Sequence, residues 1–301
     1  MALPAPHDDA HVVVTGAASG IGKEIARDLA RRGYHLALID IHDSVKETGD
    51  ELRALGVQVE EYLLDLTDRD ARQDCVDRIL ASPRVVTGVC NVAGLISAGR
   101  FEDLPLQRER ALVDVSVSAL HHLTGAFLPG MRERGAGAIL NVSSPVGIAP
   151  LPYNASYSAA KSFSMFFSYA LHQELKGSGV SVTTLMPGPT RTDLLYGIAE
   201  TRFAPDWIWR LPVFFDAAPT ARRGVEGMLR GARLAAAGWY PRLVVAVGRY
   251  VPLWVLLPTI RTAGTLGFPA REETGGRRVR ALLEQVGDRI GGSRYSNPPK
   301  D

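Results

Sequence analysis

Cysteine is almost missing: Cys75 and Cys90 are the two thiols in 301 residues. Both sit in apolar stretches without disulfide-framework density or metal-ligand spacing, so they read as buried free thiols in a reducing cytoplasm. Excess charge of one sign is missing too. Against 32 Asp and Glu stand 34 Lys and Arg, a net charge of +2, which leaves no electrostatic case for nucleic acid. Met1 to Asp9 show no basic region followed by an apolar run, so no signal peptide is expected. The longest apolar region, roughly 243–260, is broken by Arg249, Pro252 and Pro258, which argues against a regular transmembrane helix. Tyr250, Trp254 and nearby arginines still allow that region to touch a membrane surface, to cover an apolar pocket or to make a subunit contact. Histidine offers no metal site: His121 and His122 are helix neighbours that cannot share a face, and His172 stands alone.

What remains is an ordinary globular composition, 46% hydrophobic and 22% charged, in a chain long enough to bury a core without staples. Short β-branched or apolar runs alternate with helical patterns. Strands are predicted at 12–14, 35–39, 57–64, 85–92, 137–142 and 180–186, with helices at 21–32, 44–55, 68–80, 105–134 and 156–176. Such alternation predicts an α/β fold, a doubly wound parallel sheet with helices on both faces. The last residues of the polar tail 277–301 are expected to be disordered.

The first strand–helix junction reads Thr15-Gly16-Ala17-Ala18-Ser19-Gly20-Ile21-Gly22. Glycines allow a tight turn and close approach to a pyrophosphate, and the helix N-terminus presents free N–H groups. Asp40 follows Gly20 by 20 residues, at the end of the second strand. A carboxylate there can accept from ribose hydroxyls and repel a 2′-phosphate. Ser19 is uncharged and no arginine or lysine follows Asp40 until Lys46, so NAD is preferred over NADP. Asp40 could instead cap the next helix, though Asp43 and Ser44 are better placed for it.

Tyr157 and Lys161 are four residues apart on one helix face, and Ser144 lies 13 residues before the tyrosine. On its own such a pair is usually a solvated face. With a dinucleotide loop upstream it reads as proton chemistry. The ammonium is expected to lower the phenol pKa, letting Tyr157 exchange a proton with an alcohol or carbonyl oxygen that Ser144 holds.

These motifs, together with Asp65-Leu66, Asn91-Val92-Ala93-Gly94 and Pro187-Gly188 with Thr192, resemble the short-chain dehydrogenase/reductase family over roughly residues 10–195. The resemblance implies a Rossmann-type sheet and hydride transfer between a nicotinamide cofactor and a secondary alcohol or ketone. It implies Tyr157 as general acid/base, Lys161 on its pKa and the nicotinamide ribose, and Ser144 on the substrate oxygen. Asp65 and Leu66 would contact adenine, Asn91 and Ala93 the adenosine ribose and sheet floor, and Pro187, Gly188, Thr190 and Thr192 the carboxamide. Where the family carries asparagine in an Asp-Val-Asn pattern, this chain has Ser116, which puts the proton relay through water and lysine in question. Val92 replaces a second family asparagine and looks structural.

One domain is expected, with its core at about 10–195 and 218–248, a helical lid at about 194–216 and a C-terminal extension at about 249–301. The lid is rich in aromatics, including Tyr196, Phe203, Trp207 and Trp209, which suits a bulky hydrophobic substrate such as a steroid, terpenoid, polyketide or lipid-like molecule, or an ordinary packing or subunit face. A cytoplasmic homodimer or homotetramer is expected. The alternatives are an NAD(H)-binding sensor or scaffold, or an epimerase or dehydratase of the same fold.

Overall fold

The computed structural model describes residues 3–192, 214–248, 250–252, 254, 255, 257 and 258. Seven strands form one parallel sheet: β1 (Ala10–Thr15), β2 (His35–Asp40), β3 (Val59–Leu63), β4 (Val85–Asn91), β5 (Gly137–Val142), β6 (Val180–Pro187) and β7 (Leu234–Ala237). Their order is β3-β2-β1-β4-β5-β6-β7. The chain reverses direction across the sheet between β1 and β4, which opens a crevice beyond their C-terminal ends. The α-helices among the described residues are α1 (Gly20–Arg31), α2 (Val45–Arg53), α3 (Arg69–Leu80), α4 (Leu106–Val113), α5 (Leu120–Glu133), α6 (Ala155–Glu174), α7 (Ala217–Arg230) and α8 (Trp239–Gly248). The expected Rossmann-type fold is present, and the return at 218–248 resolves into α7, β7 and α8.

Alternation along β1 explains the two layers. Val12 and Val14 join Ile25, Leu29, Leu52, Val225 and Met228 in one core cluster. Val13 points the other way and packs with Val76, Ile79, Leu123, Phe127 and Met131. Cys75 and Cys90 are buried free thiols. The stretch 106–133 is long and apolar enough to cross a membrane by length and composition. Here Leu112, Leu123, Phe127 and Met131 are fully buried, so this apolarity serves the core.

The helix expected over 105–134 is interrupted by a π-helical turn at Asp114–Ala119. An extra residue per turn rotates the side chains that follow and is frequent beside functional sites. Of the expected lid, 194–213 lie outside the described residues, as do 249, 253, 256 and 259–301 of the extension.

His11 on β1 is buried, and neither ring nitrogen has a partner. Burial holds its pKa below 6.5; Glu60 opposes this, while Arg84 and His35 reinforce it. The unfolded chain therefore binds this proton first, and stability falls as pH drops through about 6.5. Thermal melts of His11→Leu are expected to show a smaller loss of Tm between neutral and mildly acidic pH than the parent.

Candidate active site

The phosphate loop forms where β1 ends. Gly16 adopts φ +68°, and a Cβ at Gly22 would overlap the Gly16 carbonyl, so α1 can start this close to the strand only with glycine there. Ser19 is the N-cap of α1 and is exposed, yet its side chain makes no capping bond, which leaves the first-turn N–H groups without a side-chain acceptor from it. Asp40 closes the loop from β2. Its Oδ2 accepts from Ala18 N and its Oδ1 from His42 N, each at 2.9 Å. It thus anchors the loop rather than capping α2.

Thr15 does the same on the other side. Its Oγ1 accepts from Val92 N and Ala93 N, both at 3.0 Å, and ties the end of β4 to the end of β1. The Asn91 amide faces inward, donating to Thr124 Oγ1 (3.2 Å) and Asn141 Oδ1 (2.8 Å); Asn141 in turn donates to Ser168 Oγ (2.9 Å). Asn91 is therefore part of the sheet floor by its side chain. Asp65 Oδ1 accepts from Thr67 N at 2.8 Å, shaping the turn before α3, and Leu66 is buried.

Ser144, Tyr157 and Lys161 gather over β5 and α6. Ser144 follows β5 and starts a 3-10 turn, Pro145–Gly147. That turn is pinned to α6 on both sides: Ser143 Oγ donates to Lys161 O and Ser162 Oγ to Gly147 O, each at 2.8 Å. Lys161 is buried and its Nζ donates to Val142 O at 3.0 Å. The ammonium sits 5.7 Å from the centroid of the Tyr157 ring. Burial pushes the Lys161 pKa down to about 8.

One expectation is corrected here. Lys161 was to lower the phenol pKa; burial instead raises Tyr157 above its usual value, and the opposing pull is a hydrogen bond with Ser144. Both groups are desolvated, and the ammonium is directed to a main-chain carbonyl. Burial thus favours the neutral phenol at Tyr157.

Ser116, on the π-helical turn, is buried with its Oγ unpartnered. A Cβ on Gly94 would stand 3.5 Å from Lys161 Nζ and 3.6 Å from Ser116 Oγ, so the missing side chain leaves both polar atoms facing one small space. At the far side, Thr190 Oγ1 donates to Gly188 O at 2.9 Å and Thr192 Oγ1 to Thr190 O at 3.3 Å. The Thr192 methyl lies 3.1 Å from where a Gly20 Cβ would be, which brings this turn against the phosphate loop. Phe215 pairs with Thr190 and packs on Gly188.

The expected site residues sit at the C-terminal ends of the parallel strands, in the loops that follow them or on the helices packed beside them, the edge at which a doubly wound sheet forms its crevice. Residues 10–202 match the short chain dehydrogenase family. The chain belongs to that family. It is 37% identical over 197 residues to the probable oxidoreductase EphD of Mycobacterium tuberculosis, covering 65% of this chain and 33% of that protein. The chain thus spans about a third of the length of that relative. It is 33% identical over 250 residues to the very-long-chain 3-oxoacyl-CoA reductase of Bos taurus, covering 81% of this chain and 76% of the relative. A short-chain dehydrogenase from Sphingobium yanoikuyae, solved in complex with NADPH, superposes with a TM-score of 0.69 at 28% identity, covering 87% of this chain and 97% of that one.

Within this short-chain dehydrogenase, sequence reasoning missed three supports. Thr15 was read as part of the loop motif but given no role, and Ser143 adjoins Ser144; their hydroxyls at strand ends were a usable signal. The Val142 carbonyl that holds Lys161 is main chain and left none. His122 accepts from Arg72 Nε at 2.8 Å, a structural role.

Proposed function

We propose that this chain is an NAD-dependent oxidoreductase of bulky hydrophobic secondary alcohols or ketones, with Tyr157 as general acid/base. The observation that carries the reading is the convergence of Ser144, Tyr157 and Lys161 on the crevice that the glycine loop opens. The residues suit a dinucleotide: an uncapped helix N-terminus at Ser19 would hold the pyrophosphate, and Asp40 the adenosine ribose. Asp65, Leu66, Asn91, Ala93 and Gly94 would border the adenosine half. Lys161, Pro187, Gly188, Thr190 and Thr192 would hold the nicotinamide half.

The nicotinamide, when bound, supplies or takes the hydride. The chain does the rest. Ser144 holds the substrate oxygen by hydrogen bonding. Tyr157, kept protonated by burial, donates its proton to a carbonyl oxygen in reduction and takes it back in oxidation. The space between Lys161 and Ser116 gives the tyrosine's proton a polar neighbourhood; Ser116 is shorter than the family's asparagine but can bond water.

Asp40 supports NAD: its carboxylate is fixed at the loop where a 2′-phosphate would sit. The Sphingobium relative was solved with NADPH, so the choice rests on this chain's own Asp40. Asp40→Ala is expected to narrow the NAD/NADP ratio of kcat/KM by roughly tenfold or more; an unchanged ratio removes Asp40 from cofactor choice. Phe215 against Gly188 and the name of the bovine relative favour an extended apolar substrate. The exposed Leu106, Val113 and Phe166 on α4 and α6 favour a homo-oligomer.

Ser116 favours one second reading, a slow enzyme acting as an NAD(H) sensor. NADH fluorescence during a screen of steroid, terpenoid and aliphatic alcohols and ketones separates them. Turnover supports the dehydrogenase; tight NADH binding without turnover across the panel, unrelieved in Ser116→Asn, supports the sensor.

A further inference from the structure

We infer that α8, with Tyr250, Trp254 and Val255 beyond it, docks this protein on an anionic lipid surface. A surface helix ordinarily turns its apolar stripe inward. α8 carries an apolar face outward as well as inward. Trp239, Leu243 and Ala246, spaced by four and three residues, share one face and are all exposed, while Pro241 is buried. Trp239 and Leu243 are each 52% exposed. Beyond the helix, Tyr250 is 68% and Trp254 79% exposed, and Val255 is exposed as well. Tryptophan and tyrosine on such a surface match the boundary between headgroups and acyl chains.

Charge decides the kind of surface. From Gly227 to Arg271 there is no Asp or Glu, yet there are six arginines, at 230, 233, 242, 249, 261 and 271. With the whole chain at +2, that segment at +6 leaves −4 for the rest (2 − 6 = −4). Positive charge is thus concentrated in the stretch of sequence that contains the exposed Trp239, Leu243, Tyr250 and Trp254. Arg230 is 3.9 Å from Glu226 and Arg233 lies over the Tyr169 ring, but Arg242 is exposed beside Trp239 and Leu243. A second copy of the chain would bring the same positive charge to the same face, whereas an anionic bilayer satisfies both the aromatics and the arginines. The docked face also has a functional position. It follows β7 at the edge of the sheet where the crevice opens, with Pro241 packed near Gly188. The docking does not depend on which substrate the crevice takes.

The test is co-sedimentation of the full chain with vesicles of phosphatidylcholine alone and with about 30 mol% phosphatidylserine, where partitioning onto the anionic vesicles is expected to be at least about tenfold stronger and to fall in high salt. The triple variant W239S/L243S/W254S is expected to lose that binding while its turnover of a water-soluble carbonyl probe and its melting stay as in the parent. Absence of binding to the anionic vesicles, or full binding by the triple variant, overturns the inference. So does a dimer that the variant dissociates without any vesicle binding by the parent, which assigns the face to a second copy. Should the triple variant fail to fold, R242E is read instead: weaker partitioning onto phosphatidylserine is expected, and unchanged partitioning overturns the inference.

Discussion

Tyr157→Phe is expected to lower kcat by about 10³-fold or more while NADH affinity changes by less than about twofold. The substitution removes one oxygen and keeps the ring. The ring's place beside Lys161 and the tie between Lys161 Nζ and Val142 O do not need the phenol hydroxyl. The proton source is lost, and Ser144 keeps a donor for the substrate oxygen but has no comparable acid to replace it. Stopped-flow hydride transfer and NADH fluorescence titration read the two effects separately. Turnover retained in the variant would show that another group moves the proton, and a collapse of NADH binding would show that the phenol is structural. The raised Tyr157 pKa adds a direction: oxidation uses the phenolate, so kcat/KM for oxidation is expected to keep rising with pH through the alkaline range, while reduction, which uses the phenol, stays level there.

The fold was legible because its signals are local. Val12–Val14 ending at Gly16 announces a buried strand and a tight turn, and the structure places both there. Asp40 was legible by spacing, although its grip on the Ala18 N–H is a tertiary fact that no spacing states. Two things escaped for physical reasons. The π-helical turn at 114–119 leaves no periodicity signature, because six residues are too few to distinguish one helical period from another. The pKa relation of Tyr157 and Lys161 depends on desolvation, and sequence separation reports that two groups are near, not how dry they are. That second gap matters most, since it reverses the expected sign at the central residue of the site.

Lys161→Met is expected to abolish useful turnover and yet raise the melting temperature at neutral pH. A fall of the Lys161 pKa from 10.5 to about 8 corresponds to about 3 kcal/mol against holding the charge in the fold. Methionine matches the length of the stem and carries no charge, which removes that penalty. The change also strips Val142 O of its donor, which costs about 1–3 kcal/mol. The net gain is then roughly 1 kcal/mol, or about 2–4 °C for a chain of this size. The pH dependence identifies the cause. Below pH 8 the lysine is protonated in both the folded and unfolded states and the full penalty applies. Between pH 8 and 10.5 the folded protein has released the proton and the unfolded chain still binds it, so the parent gains stability as pH rises. Methionine cannot titrate. The Tm advantage of Lys161→Met should therefore be widest near pH 7 and shrink toward pH 10. A constant advantage would assign it to packing alone, and a loss of stability at pH 7 would mean that the hydrogen bond to Val142 outweighs the buried charge.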